Sequence, residues 1–373
     1  MKEMEKTVFA LQKEAHRVNV KGWLTGIAAD DLMSSIDGDS IWTLDFTEVT
    51  GIDFAALRSL LRSRQQGVRF FVTNAIDSVA EMFETTGVSA FIGVCRLPGT
   101  FSLEGYTQFG GSFISNTYNA PDGDSMRKVY KPCAPEGTAE REKLTARACL
   151  QFGIPTPMSG HICRGEDGIS LDFERIIGKR SFARVISEEP ERLEEISVRF
   201  AKMCKQLHTT PCDTALFPDR TLFYRDVIAR AEGFTSEEKE RMSAFLDSVP
   251  RATTCLHGDM HIGNVITTGR DDLWIDMSDF SYGNPLFDVA MMYFTAYCSP
   301  ENMVLDLYHI TAEQFREVYR IFAREYFGAD TPEKLEASFA QLKPFCALHM
   351  LYLGVTYGFM PFMYDYIHHE MLP

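Results

Sequence analysis

Leu256-His257-Gly258-Asp259-Met260-His261-Ile262-Gly263-Asn264 is followed, ten residues on, by Trp274-Ile275-Asp276-Met277-Ser278-Asp279-Phe280. Asp259 precedes Asn264 by five residues, and a further carboxylate, Asp276, ends the apolar run Leu273-Trp274-Ile275. Phosphoryl transfer from Mg·ATP needs such a set. One carboxylate orients the attacking hydroxyl and accepts its proton late, while an amide and another carboxylate hold metal ions that bridge the phosphates. Mg²⁺ prefers few carboxylates plus phosphate and water oxygens, which Asn264 and Asp276 would supply.

The His-Gly-Asp form with Asn at plus five resembles the aminoglycoside phosphotransferase and choline kinase superfamily, which is built like a protein kinase. The resemblance covers about residues 106–373. It implies an α+β fold: a two-lobed kinase-like domain with an N-lobe at 106–179 and a C-lobe at 180–373. It also implies ATP and Mg²⁺ as cofactors, Asp259 as base, and Asn264 and Asp276 as metal ligands. Ile275-Asp276-Met277 aligns with the family's Ile-Asp-Trp, while Gly283-Asn284-Pro285 and Asp288-Val289-Ala290 align with its later Gly turn and Asp-Leu-Ala. The alignment selects Asp276 over Asp279 as the ligand and gives Asp288 a structural role, bonding backbone of the catalytic loop. Met277 departs from the usual aromatic.

The preceding region supplies the phosphate-binding parts. Phe109-Gly110-Gly111-Ser112-Phe113-Ile114-Ser115-Asn116-Thr117-Tyr118 reads as strand, Gly turn and strand. Glycines let backbone N–H groups approach phosphate oxygens, so Gly110, Gly111 and Ser112 are candidate nucleotide contacts. Lys128 lies in the apolar strand Met126 to Tyr130, whereas Lys131 precedes Pro132. Lys128 is therefore the expected partner of the α- and β-phosphates. Its acidic partner is Glu140 or Glu142. The family places the Glu eleven residues before the Gly of a Gly-Ile-Pro-Thr-Pro turn; with Gly153 opening that turn, the match is Glu142, and Glu140 is expected to be solvated. Ile169 to Ile176 resembles the fifth strand and hinge, so backbone near Glu174 and Ile176 would read the adenine edge. Gly178-Lys179 lacks the Gly spacing of a Walker A motif.

Residues 1–98 read as a separate small α/β domain, with 99–105 as linker. Ile41 to Phe46 and Val68 to Val72 are strands. A helix begins at Ala55. Ser78 is the expected cap of a second helix that Gly87 ends. Strand–helix–strand–helix at this spacing predicts parallel strands joined by crossovers. Leu44 to Val49, Ile52-Asp53, Ala56-Leu57 and Glu84-Thr85-Thr86-Gly87-Val88 resemble the STAS domain of anti-sigma-factor antagonists. Phospho-switched members carry a Ser just after the Asp that matches Asp53. Here Phe54-Ala55-Ala56 stand there, with no hydroxyl to take phosphate. The expected role is docking a protein partner or self-association.

The formal charge is −15, which opposes a nucleic-acid function. Residues 1–98 carry −3 of it and the remainder −12, so an acidic catalytic region would suit a cationic acceptor as well as a merely solvated face. Nine scattered cysteines without a Cys-x-x-Cys pair fit reduced thiols in a cytoplasm. The opening Met-Lys-Glu-Met-Glu-Lys lacks the apolar core of a signal peptide. Phe345 to Tyr364 has no formal charge, but Gly354, Gly358 and Pro361 interrupt it, so a buried C-terminal helix is expected and not a membrane span. Helices are also expected from Pro190 to His208 and from Thr221 to about Val249. His257 is expected to brace a loop by hydrogen bonding, since Gly258 and Gly263 make this a loop and not a helix that would present His257 and His261 to a metal. No Gly-x-Ser-x-Gly elbow supports a hydrolase, and no Ala-Pro-Glu closes a protein-kinase activation segment, so the acceptor is expected to be a small-molecule alcohol. The alternative is a regulatory protein whose kinase-like half senses nucleotide while its front domain binds a partner.

Overall fold

The computed structural model describes residues 11–372 apart from 15, 39 and 113, so the N-terminal hexapeptide and Phe113 lie outside the described residues. The chain forms two compact units: residues 1–148 with 157–175, and residues 149–156 with 176–373. Each mixes helix and sheet.

The first unit begins with β1 (Leu11–Glu14), β2 (Arg17–Leu24), α1 (Gly26–Ser34), β3 (Ile41–Ile52), α2 (Phe54–Gln65), β4 (Arg69–Ala75), α3 (Asp77–Thr85) and β5 (Val94–Arg96). These strands form one sheet in the order β1-β2-β3-β4-β5. The β1–β2 pair is antiparallel, and β2–β3, β3–β4 and β4–β5 are parallel, as the helical crossovers predict. Alternation makes the core: Trp42, Leu44 and Phe46 of β3 turn inward to meet Phe70 and Val72 of β4, Leu60 of α2 and Phe83 of α3. Asp53 caps α2, its carboxylate accepting the Ala56 N–H at 2.7 Å. Ser78 does not cap α3. The helix starts one residue earlier at Asp77, and its N-cap, Ile76, makes no side-chain bond.

The same unit continues with β6 (Gly99–Thr100), β7 (Thr107–Gly111), β8 (Ser115–Asn119), β9 (Ser125–Tyr130), α4 (Thr138–Gln151), β10 (Ser159–Gly165) and β11 (Gly168–Glu174). Their sheet runs β6-β10-β11-β9-β8-β7. The expected linker at 99–105 thus begins as a strand, with Gly99 paired to Cys163 at the sheet edge. Cys95 of β5 shares a buried cluster with Tyr130, Ala139, Ile162 and Leu171, so the last strand of the first sheet helps fill the core of the second. Around it Arg147 donates to the Ser89 carbonyl at 2.6 Å and Arg17 pairs with Glu136 at 2.9 Å. A Cβ on Gly93 would lie 2.5 Å from Leu144 Cδ2.

The second unit is helix-rich. It holds β12 (Arg180–Ser181), α5 (Phe182–Glu188), α6 (Leu193–Thr209), α7 (Arg220–Arg230), α8 (Ser236–Ser248), β13 (Thr254–Leu256), β14 (Val265–Thr267), β15 (Asp272–Trp274), β16 (Ser281–Gly283) and α9 (Leu286–Tyr297). It ends with α10 (Glu301–Tyr308), α11 (Ala312–Phe327), α12 (Pro332–Tyr357) and α13 (Pro361–Met371). The helical segment expected from Thr221 to about Val249 consists of two helices, broken where Ala231 leaves the helical region and Thr235 starts a capping box with Glu238. The expected C-terminal helix likewise stops at Tyr357, where Gly358 takes a positive φ of 100°. Among the described residues no helix is long and apolar enough to cross a membrane.

Candidate functional site

The candidate residues fall in both units. In the first, Lys128 of β9 and Glu142 of α4 are buried and joined: Nζ lies 2.9 Å from Oε1 and 3.0 Å from Oε2. The Tyr130 hydroxyl donates to Glu142 Oε2 at 2.6 Å, so the carboxylate is held from two sides. A buried ion pair stands only when its remaining lone pairs are met, and Tyr130 meets one. Glu140 is not solvated as expected. It is buried, and its Oε2 has no hydrogen-bond partner.

The Gly turn joins β7 to β8 with a shift of register at Gly110. A Cβ on Gly110 would meet Thr117 Oγ1 at 2.8 Å, and one on Gly111 would meet Asn116 Oδ1 at 2.9 Å, so a larger residue at either place would displace the facing side chain across the hairpin. Ser112 is spent within the turn, its N–H donating to the Ser115 carbonyl at 2.7 Å and its hydroxyl lying 3.0 Å from Ser115 Oγ. Lys131, the neighbouring lysine, pins the turn by donating to the Ser112 carbonyl at 2.6 Å. At the far end of β11, the Glu174 side chain accepts the Met158 N–H at 2.8 Å. Ile176 opens the second unit.

In the second unit, residues 257–264 form a loop fixed from every side. Asp288 of α9 is fully buried and accepts the His257 N–H at 2.6 Å and the Gly258 N–H at 2.9 Å. His208 of α6 adds a bond to the same carboxylate at 3.2 Å. Burial pushes the Asp288 carboxyl up, but the His208 hydrogen bond and the neighbouring charges outweigh it and hold the group below the usual carboxylate range. His257 bonds the Ile275 carbonyl through Nε2 at 3.0 Å and accepts the Asp259 N–H on Nδ1 at 3.2 Å. Burial keeps that imidazole neutral, which the accepting Nδ1 requires. Gly258 has φ +85°, and a Cβ there would stand 2.1 Å from the Asp279 carbonyl oxygen. Only glycine fits.

Asp259 emerges from this brace with its side chain 43% exposed. Asn264 turns its amide NH₂ back on it, donating to the Asp259 carbonyl at 2.9 Å and to Oδ2 at 3.2 Å. Its Oδ1 is therefore the atom suited to a cation. The β14–β15 hairpin pairs Val265 with Trp274, and Ile275 N–H bonds the Asn264 carbonyl at 2.9 Å, so Asp276 follows immediately beside Asn264. Asp276 is in the left-handed region, φ 60° and ψ 48°, a conformation that Asp tolerates better than most side chains and that marks functional turns.

Three contacts escape sequence reading. His261 stands 3.6 Å from Asp259 Oδ2. Burial opposes ionisation of Asp259, yet the His261 contact and the surrounding imidazoles hold its carboxyl well below the ordinary range. The group is thus ionised at neutral pH, an acceptor fit for late proton transfer more than a strong base. Arg220, buried at the start of α7, donates to the Gly258 carbonyl at 2.8 Å and stacks its guanidinium on Phe223. Beside Asp259 a cavity of about 290 Å³ opens among α9, α10 and α12, with Asp279 on its rim and His349 in its wall.

A family model described as the phosphotransferase enzyme family matches residues 106–332. No curated protein sequence matches the chain. Among solved structures, a choline/ethanolamine kinase family protein from Mesorhizobium loti is 15% identical with a TM-score of 0.46, covering 72% of this chain and 85% of its own. An aminoglycoside phosphotransferase solved with ADP and hygromycin B is 13% identical with a TM-score of 0.48, over 71% of this chain and 90% of its own. Amicoumacin kinase, solved with AMP-PNP and Ca²⁺, is 12% identical with a TM-score of 0.47, over 78% and 92%. The family model spans well over half of the sequence, including the Gly turn, the Lys128–Glu142 pair and the 257–264 loop, and the chain belongs to the phosphotransferase enzyme family.

Proposed function

We propose that this chain transfers the γ-phosphoryl group of Mg·ATP to a hydroxyl of a small molecule. The observation that carries this reading is the Asp259–Asn264 pair, held by Asp288, His257 and Arg220 at the mouth of a cavity. Asp259 orients the acceptor hydroxyl and takes its proton. Lys128, steadied by Glu142, neutralises the α- and β-phosphates. Gly110 and Gly111 bring the backbone of the turn close to the nucleotide phosphates, Ser112 holds that turn closed through its bond to the Ser115 carbonyl, and backbone at Glu174 and Ile176 meets the adenine edge. The donor set fits Mg²⁺: an amide oxygen on Asn264, since its NH₂ is committed to Asp259, and one carboxylate on Asp276. When bound, the ion supplies charge that offsets the phosphate oxygens.

The front domain, residues 1–98, takes a docking or self-association role in this reading. Its parallel strands with helical crossovers support the STAS-like assignment. Asp53 is spent capping α2, and Phe54 stands where a phosphorylated hydroxyl would be needed.

Calorimetry of Mg·ATP binding to wild type and Asp276→Asn tests the nucleotide site. Mg-dependent binding that the variant loses is expected. A folded wild type that binds no Mg·ATP would remove the kinase reading. In a second step Asp259→Asn is expected to keep ATP binding and lose transfer.

A further inference from the structure

The cavity beside Asp259 contains a side chain with unused hydrogen-bonding capacity. His349 of α12 is 4% exposed and packs edge-on against Phe294 at 5.1 Å. Its Nδ1 is sealed from solvent and has no hydrogen-bond partner, although the ring lines the cavity. The other buried histidines differ. His208 engages Tyr326 and Asp288 through its two nitrogens, and His257 engages Asp259 N–H and Ile275. A buried N–H without a partner costs more than a lone pair without one. The proton therefore belongs on Nε2, the nitrogen left to meet the cavity. Loss of water pushes the imidazole down to about 4, so it is neutral in the physiological range.

The rest of the wall limits the occupant. Met291, Phe294, Met303, Val304, Leu307 and Leu353 make much of it apolar, beside the hydroxyls of Thr295, Ser299 and three tyrosines, Tyr308, Tyr352 and Tyr357. Its carboxylates are Asp259 and Asp279, with His261 turned to Asp259, and among the described residues no Lys or Arg lines it, so the two carboxylates disfavour an anionic acceptor. Its volume of about 290 Å³ is at the small end of ligand sites.

Resting on the phosphotransferase reading above, we propose that His349 is the specificity residue of the acceptor site. Its Nε2–H donates to an oxygen of a compact, non-anionic alcohol whose body is apolar. One such bond is worth about 1 kcal/mol, or roughly five- to tenfold in affinity.

The test uses the full chain and three probes: 2-phenoxyethanol, 3-phenylpropan-1-ol, in which a methylene replaces the ether oxygen, and 4-(hydroxymethyl)benzoate. Binding is measured by calorimetry with and without Mg·ATP, and ¹⁵N NMR follows the His349 ring nitrogens. The expected result is that phenoxyethanol binds roughly five- to tenfold more tightly than phenylpropanol, shifts the Nε2 resonance, and outcompetes the benzoate. His349→Phe removes that preference, and His349→Gln, which keeps a donor, restores part of it. Equal binding of the first two probes, a preference for the benzoate, no probe binding at all, or a preference that survives in His349→Phe overturns the proposal. Probe binding measured without nucleotide separates its failure from failure of the Mg·ATP site.

Discussion

Replacing Asp288 by Asn tests whether one carboxylate sets the geometry of the 257–264 loop. Three donors converge on it: His257 N–H at 2.6 Å, Gly258 N–H at 2.9 Å and His208 Nε2 at 3.2 Å. Asn offers one acceptor oxygen. Its NH₂ must then face a donor, and that donor stays buried and unpaired. A hydrogen bond to a charged group is worth about 1.5–3 kcal/mol, and an orphaned buried donor costs about 1–3 kcal/mol. The expected loss is about 3–5 kcal/mol, or roughly 10 °C in the unfolding midpoint of a unit this size. Circular dichroism at pH 7 reads the midpoint. The sign of the pH dependence follows from the carboxyl being held below its ordinary range in the folded state. The unfolded chain takes up the proton first, so the stabilisation is present at neutral pH and fades as pH falls below about 4. The gap between wild type and Asp288→Asn should therefore narrow in acid. A midpoint within about 1 °C of wild type at pH 7, or a gap that stays constant into acid, would refute the assignment.

Gly258→Ala should fold but lose about a hundredfold in transfer rate, since its Cβ, 2.1 Å from the Asp279 carbonyl, forces the loop aside by the order of 1 Å; an unchanged rate in a steady-state assay would show that the loop yields freely. Glu142→Gln should weaken Mg·ATP binding more than Tyr130→Phe, because it removes the charge that faces Lys128 and one of the two oxygens at 2.9 and 3.0 Å, while Tyr130 supplies one bond to the same carboxylate; calorimetry showing the reverse order would contradict the pairing. His349, kept neutral by burial down to about 4, favours the folded state above pH 6.5 and costs about 3 kcal/mol by pH 4, as the unfolded chain protonates first. Urea titrations should show that acid slope in wild type and a flatter one in His349→Phe. Cys95, whose thiol burial pushes up to about 12, should resist iodoacetamide until unfolding, whereas exposed Cys133 reacts first by mass spectrometry.

Residues whose chemistry dictates a spacing are legible in the sequence alone. The 257–264 loop can be read as a loop because Gly258 and Gly263 interrupt it, and the β14–β15 hairpin brings Asn264 beside Asp276 because an apolar strand lies between them. Lys128 and Glu142 can be paired because the family resemblance sets the Glu eleven residues before the turn that Gly153 opens. Other contacts depend on distant packing, for which the sequence carries no signal. Arg220 reaches Gly258 across 38 positions, and His349 enters the wall beside Asp259 from α12. The burial of Glu140 contradicts the expectation of a solvated side chain because two acidic residues so close on one helix look alike until the helix is docked. Ser78 resembles a cap because hydroxyls favour that place, yet Asp77 can begin the helix and pair with Arg96 at 2.7 Å.

Cys95 changes what the front domain is in evolutionary terms. A domain joined by a tether can be gained or shed by recombination at small cost. Here the last strand of the first sheet supplies a core side chain to the second, with Gly93 leaving room for Leu144 and Ser89 receiving Arg147. A descendant gene cut after codon 98 would inherit the second sheet with an unfilled hollow beside Tyr130, the residue that steadies Glu142. Removing the front domain therefore requires refilling that hollow.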